Sequence, residues 1–159
     1  MTFERMNEMA VEMDRGRAAI VELIHAGSVT ASDVKRLRRE FFADRQATRD
    51  EADALFALEA SKALKCAEWT AFLVETITAH VVWDCRPTGV VNESQGEWLI
   101  ARADACASIN ALATLVNVLA EAHRVPGWFL SAVRARGARG WAGVDMARRL
   151  AEAEMAEAA

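Results

Sequence analysis

Only two prolines and eight glycines interrupt this 159-residue chain. Alanine and leucine are abundant, and alanine loses no side-chain rotamer freedom on entering a helix, so helices are the expected element. Cysteine is also scarce. Cys66, Cys85 and Cys106 form an odd, widely spaced set without a CxxC pair. That excludes a disulfide framework and favours reduced, mostly buried thiols. No segment has the roughly 18 consecutive apolar residues that a membrane helix requires. The opening stretch MTFERMNEMAVEMDRGR lacks the basic region followed by an apolar run that marks a secretory signal, so a cytoplasmic location is expected. There is no phosphate-cradling GxxxxGK[ST] or GxGxxG, and no strand-turn-helix nucleophile elbow. The net charge of −4 and pI near 5.4 give no overall attraction for a polyphosphate.

What remains is a chain with enough apolar residues for one core: 53% are hydrophobic and 26% charged, which argues against global disorder. Their spacing predicts an all-α, compact multi-helix bundle with amphipathic terminal helices. The first helix is expected over 3–26, with Met6, Met9, Met13, Ile20, Leu23 and Ile24 on one face and Gly27 as its left-handed cap. A second helix runs from Thr30 to about Ala43, and a third from Thr48 to Leu64 or Lys65. The fourth, from about Glu68 to Pro87, carries Trp69, Phe72, Leu73, Ile77, Val81 and Trp83, an apolar surface broad enough for a central position. A further helix starts at Asn92. Over 108–123 the core positions are Ile109, Leu112, Leu115, Val116 and Leu119, with Asn110, Thr114, Asn117 and Glu121 as a polar strip. Pro126 opens a shorter helix anchored by Trp128, Phe129 and Val133. The expected organisation is a compact domain over 1–136, a glycine-rich connection over 137–144 with Trp141 as an anchor, and a helical tail over 145–159 with a thin strip of Met146, Leu150 and Met155.

Three helix starts share one grammar. Thr30 precedes Asp33, Thr48 precedes Glu51, and Asn92 precedes Gln95, each partner standing at the third helical position. There the cap oxygen accepts a free backbone NH, and the partner side chain reaches back. Val29 and Val34 flank the first as a hydrophobic staple. The recurrence reads as helix-start chemistry, and its irregular period does not establish a duplicated domain.

The candidate chemistry is sparse. Asp44 and Glu51 are hard oxygen donors suited to calcium or magnesium, yet the stretch lacks the ordered donors, central glycine and twelfth-position glutamate of an EF-hand. Helix capping is the favoured reading. The basic run KRLRRE, with Lys35, Arg36, Arg38 and Arg39, reads as a solvated face, and no aromatic-basic pattern indicates specific nucleic-acid binding. His25, His80 and His123 have no Cys/His spacing typical of zinc. His80, among tryptophans, reads first as a hydrogen-bonded core residue and second as half of a histidine–acid catalytic pair.

The run FFADRQATRDEADALFAL, with the partly similar GVVNESQGEWLI, resembles the helical TerB-like group associated with tellurite resistance, and uncharacterised bacterial proteins built on similar helix starts. In that group an Asp-Gly pair commonly precedes a Ser/Thr-x-x-Glu helix entry. Asp44, Thr48 and Glu51 match; Arg45 replaces the glycine, and the second passage has no acid corresponding to Asp44. The resemblance implies an all-helical fold, and either acidic metal contacts or a signalling and scaffolding role. The leading expectation is a small cytoplasmic interaction or scaffolding module, not an enzyme. Its partner is a protein or a second copy, engaged through Met6, Met9 and Met13 or through the tail. A divalent-metal-binding stress-response regulator is the alternative.

Overall fold

The computed structural model describes residues 15–43, 46–139 and 141, and residues 153, 155 and 156 near the C-terminus. Among them are seven main helices. Helix α1 covers 15–26, the described part of the first expected helix. Helices α2 (Ala31–Arg36), α3 (Arg49–Ala60) and α4 (Ala67–Thr78) follow, then α5 (Glu93–Cys106), α6 (Ile109–Glu121) and α7 (Phe129–Arg139). Helices α2 and α4 each continue into a wider π-type turn, Leu37–Phe41 and Ala79–Trp83. Those turns are closed by five-residue bonds from Phe42 N–H to Leu37 O (3.0 Å) and from Asp84 N–H to Ala79 O (2.8 Å).

All three cap residues form their bonds, but the Gln95 side chain turns to Cys85 instead of reaching back to Asn92. Thr30 and Asp33 make a reciprocal box, as do Thr48 and Glu51, and the Asn92 side chain accepts from Gln95 N–H. Val29 and Val34 are both buried, as a staple requires. The third helix stops earlier than expected, at Ala60. The chain then forms a short strand, β2 (Leu64–Lys65), paired in parallel with β1 (Ser28–Val29) in the register Ser28↔Leu64 and Val29↔Lys65. Gly137 belongs to α7, so the helix extends into the stretch expected to be a glycine-rich connection. A Cβ there would lie 3.9 Å from Leu112 Cδ1, ordinary contact distance. Trp141 is buried, as an anchor would be.

The corner after α1 recurs after α4. Gly27 and Gly89 have φ of 78° and 80°, the left-handed region that glycine adopts without steric cost. Each is followed two residues later by a buried valine, Val29 or Val91, and then by a cap, Thr30 or Asn92. Each corner pairs in parallel with the segment before a later helix. Leu64 N–H donates to Gly27 O at 3.0 Å, and His123 N–H donates to Gly89 O at 2.7 Å. The Thr48 cap of α3 finds its counterpart in the Ser108 cap of α6. The irregular recurrence of helix starts is therefore a repeated supersecondary plan. Helices α1–α4 form one copy and α4–α7 the other, with α4 common to both.

That sharing explains the position of α4. Trp69, Phe72, Leu73, Ile77 and Val81 are all buried to within 1% of complete, and α6 is its principal packing partner. The indole of Trp69 donates to Glu59 Oε1 at 2.9 Å. Ser108 Oγ (2.9 Å) and Asn110 Nδ2 (3.0 Å) donate to the same carboxylate, which is 7% exposed. A buried carboxylate is costly unless its lone pairs are filled. Here three donors from α4, the α6 cap and α6 fill them, and the group ties α3 to both helices.

Candidate functional site

Of the residues expected to form sites, Met6, Met9, Met13 and Asp44 lie outside the described residues. Glu51 is fully buried, and its Oε1 accepts from Thr48 N–H at 3.0 Å. Its carboxylate thus serves the helix start. Among the described residues, no group of three or more His, Cys, Asp or Glu side chains is placed to hold a metal ion.

His80 sits in the π-type turn after α4 and is 8% exposed. Its Nδ1 lies 3.0 Å from Ala47 O, which makes Nδ1 the protonated nitrogen. Burial lowers its pKa, followed by the repulsion of Arg49, against opposing contributions from Ala47, Asp84 and Asp53, so the charged ring is disfavoured. Trp98 meets His80 edge-on with centroids 5.4 Å apart. Trp98 itself donates to Asp53 at 2.9 Å, under the Arg49 guanidinium 4.1 Å above its ring. Nearby, Cys85 donates to His80 O at 3.2 Å and accepts from the Gln95 amide. Two buried atoms, His80 Nε2 and Gln95 Oε1, have no hydrogen-bond partner among the described residues. No carboxylate is hydrogen-bonded to the imidazole among the described residues, so the geometry of a histidine–acid pair is not assembled there.

A cleft of about 340 Å³ adjoins this region, lined by Arg38, Phe42, Glu75, Ala79 and Asp84 among others. Its main charges are matched, since Arg38 Nη1 bonds Glu75 Oε2 at 2.8 Å. Burial raises the Asp84 pKa above the ordinary carboxylate value. The arginines of the basic run are likewise paired, with Arg36 and Arg39 on Glu40 at 3.1 and 3.3 Å. The Cys106 thiol carries no activation: it donates to Phe56 O at 3.3 Å, and burial beside Glu59 pushes its pKa up to about 12.

The most distinctive surface is on α6. Its core side is Ala111, Thr114, Leu115 and Val118, all 0% exposed. The polar strip meets α4 and the π-type turn that continues it. Thr70 Oγ1 donates to Asn110 Oδ1 (2.8 Å), Asn117 Nδ2 to Thr78 Oγ1 (2.8 Å), and Trp83 Nε1 to Glu121 Oε1 (2.9 Å). Two residues expected in the core are consequently outside: Ile109 is 49% exposed and Val116 52%. The helix is rotated because those polar groups find partners on α4, and Asn110 also donates to Glu59. With Leu112, Ala113, Asn117, Ala120 and Val74 of α4, the two outward residues line an apolar groove of about 390 Å³. Spacing alone placed Ile109 and Val116 inside. The available signal for an outer surface was the absence of any charged residue from INALATLVNVLA, residues 109–120. A helix apolar on nearly all sides asks for contacts on more than one face.

The fold is thus that of a mostly helical bundle, and no described helix is long and apolar enough to cross a membrane. No family model, curated protein or solved structure matches the chain.

Proposed function

We propose that the protein is a small helical interaction or scaffolding module, built on a TerB-like plan, that holds a protein partner on the outer face of α6. The carrying observation is the exposure of Ile109 and Val116 beside Val74 on a helix whose polar strip is already bonded to α4. Solvent-facing helix surfaces of globular proteins ordinarily carry charge; this one has none from 109 to 120. The Glu59 hub and the bonds from Asn110, Asn117 and Trp83 hold the face in one orientation before any partner arrives. Preorganisation of that kind reduces the ordering cost of association. The TerB-like part of the reading draws support from the resembling stretches, both of which start capped helices.

Immobilised protein should retain a protein partner, whether a free copy of the same chain or a protein from cell extract, that Val116→Glu does not retain. The variant should keep the wild-type circular dichroism spectrum and melting midpoint, because its side chain points outward. Equal retention by the two would overturn this assignment of the face.

A further inference from the structure

We infer that the occupant of the α6 face is a second copy of this chain, its α6 lying antiparallel to the first across a two-fold axis beside Ala113. This rests on the reading of α6 as the interaction surface and adds the identity of the partner. The face is self-complementary. An isologous contact requires one patch to fit itself, residue against residue in both directions. In an antiparallel pair centred between residues 112 and 113, Ile109 faces the partner's Val116, and Leu112 faces the partner's Ala113. Both relations then hold in reverse. The two large hydrophobic residues most exposed on this face, at 49% and 52%, meet each other. The leucine meets an alanine small enough to admit it. The groove beside Val74 accepts the opposing ridge.

Charge supports the same occupant. Two copies of a charged face repel, but residues 109–120 carry no charge to repel with. The tail is a poorer match, because Met146, Leu150 and Met155 give it only a thin apolar strip, flanked by Arg149 and Glu154. Met155 is itself 74% exposed. Antiparallel helices also set opposite dipole ends side by side. The size of the face sets the strength. Helix α6 is ~20 Å long, and with α4 alongside the surface is ~20 Å wide, giving roughly 400 Å² per copy. That is half the size of a standard stable interface per partner, so the association is weak and concentration-dependent.

Sedimentation equilibrium of the full chain from low to high micromolar concentration should show reversible dimerisation, with Val116→Glu or Ile109→Glu weakening it at least tenfold. Under mild oxidation Ala113→Cys should form a covalent dimer, with peptide mapping joining residue 113 to residue 113. Ile109→Cys alone should not join to itself, since antiparallel copies hold those positions ~10 Å apart along the axis. A mixture of Ile109→Cys and Val116→Cys should form the mixed 109–116 link. A chain monomeric throughout the range, or a dimer indifferent to Val116→Glu, overturns the inference. So does a 109–109 link, which indicates parallel helices. A monomer that dimerises only after removal of 142–159 assigns the face to the tail and also overturns it. If the chain is monomeric but extract proteins are still retained in a Val116-dependent way, the self-association fails while the interaction surface stands.

Discussion

At the scale of single residues, buried polar groups divide into satisfied and unsatisfied. Glu59 holds three donors, whereas among the described residues His80 has one partner at Nδ1 and none at Nε2. That difference gives His80 a pH signature. Burial sets its folded pKa below the ordinary imidazole value of 6.5, so as pH falls the unfolded chain takes up a proton before the folded one does. The stabilisation from the neutral ring is complete above pH 6.5 and is lost as pH falls below it toward the folded pKa. His80→Asn, which keeps an amide donor for Ala47 O, should flatten the fall in urea-unfolding free energy between about pH 7 and 5 relative to wild type. An identical slope in the two proteins would refute this account of the ring. The neighbouring Arg49, Asp53 and Asp84 remain in both, and their effects cancel in the comparison to first order.

At the scale of elements, α6 and the two glycine corners make the sharpest tests. If α6 is rotated as described, adjacent residues have opposite sensitivities. Leu115→Ala removes a side chain with no exposure and should cost roughly 2–5 kcal/mol, whereas Val116→Ala should cost less than about 0.5 kcal/mol. Denaturant titration at low protein concentration separates the two. Similar losses would place both residues inside, where helical spacing alone puts them. The corners differ in the same measurable way. An alanine at Gly27 meets no atom within 4 Å and carries only the left-handed backbone cost of roughly 1–2 kcal/mol. An alanine at Gly89 bears that cost and also collides with the His123 ring, which is stacked edge-on against Trp83 at 5.9 Å. Thermal melts should therefore rank Gly89→Ala below Gly27→Ala.

At the scale of the whole molecule, the shared α4 decides how the described core unfolds. Two repeated units with separate cores could melt separately. Here the central helix belongs to both, and Glu59 ties α3 of the first unit to α6 of the second. Differential scanning calorimetry should accordingly give one transition for the core, with calorimetric and van't Hoff enthalpies in agreement. Two resolved core transitions would show that the units are energetically separate. The repeat was only partly legible in the sequence. Thr30, Thr48 and Asn92 announced their caps, because a cap bond is completed within four residues. That Gly27 and Gly89 turn equivalent corners emerged only when each was paired with a segment far along the chain, Leu64 or His123.

The sequence by itself determined where helices begin, which glycines turn corners and which helix is central, because caps, backbone freedom and apolar periodicity act over a few residues. It also carried the uncharged run of α6. The direction in which that run faces was a tertiary decision. Asn110 and Asn117 resemble surface residues until Glu59, Thr70 and Thr78, between 39 and 51 positions away, supply their partners. Those bonds turn the polar strip against α4 and leave Ile109 and Val116 outside, a choice made by contacts that no local pattern contains.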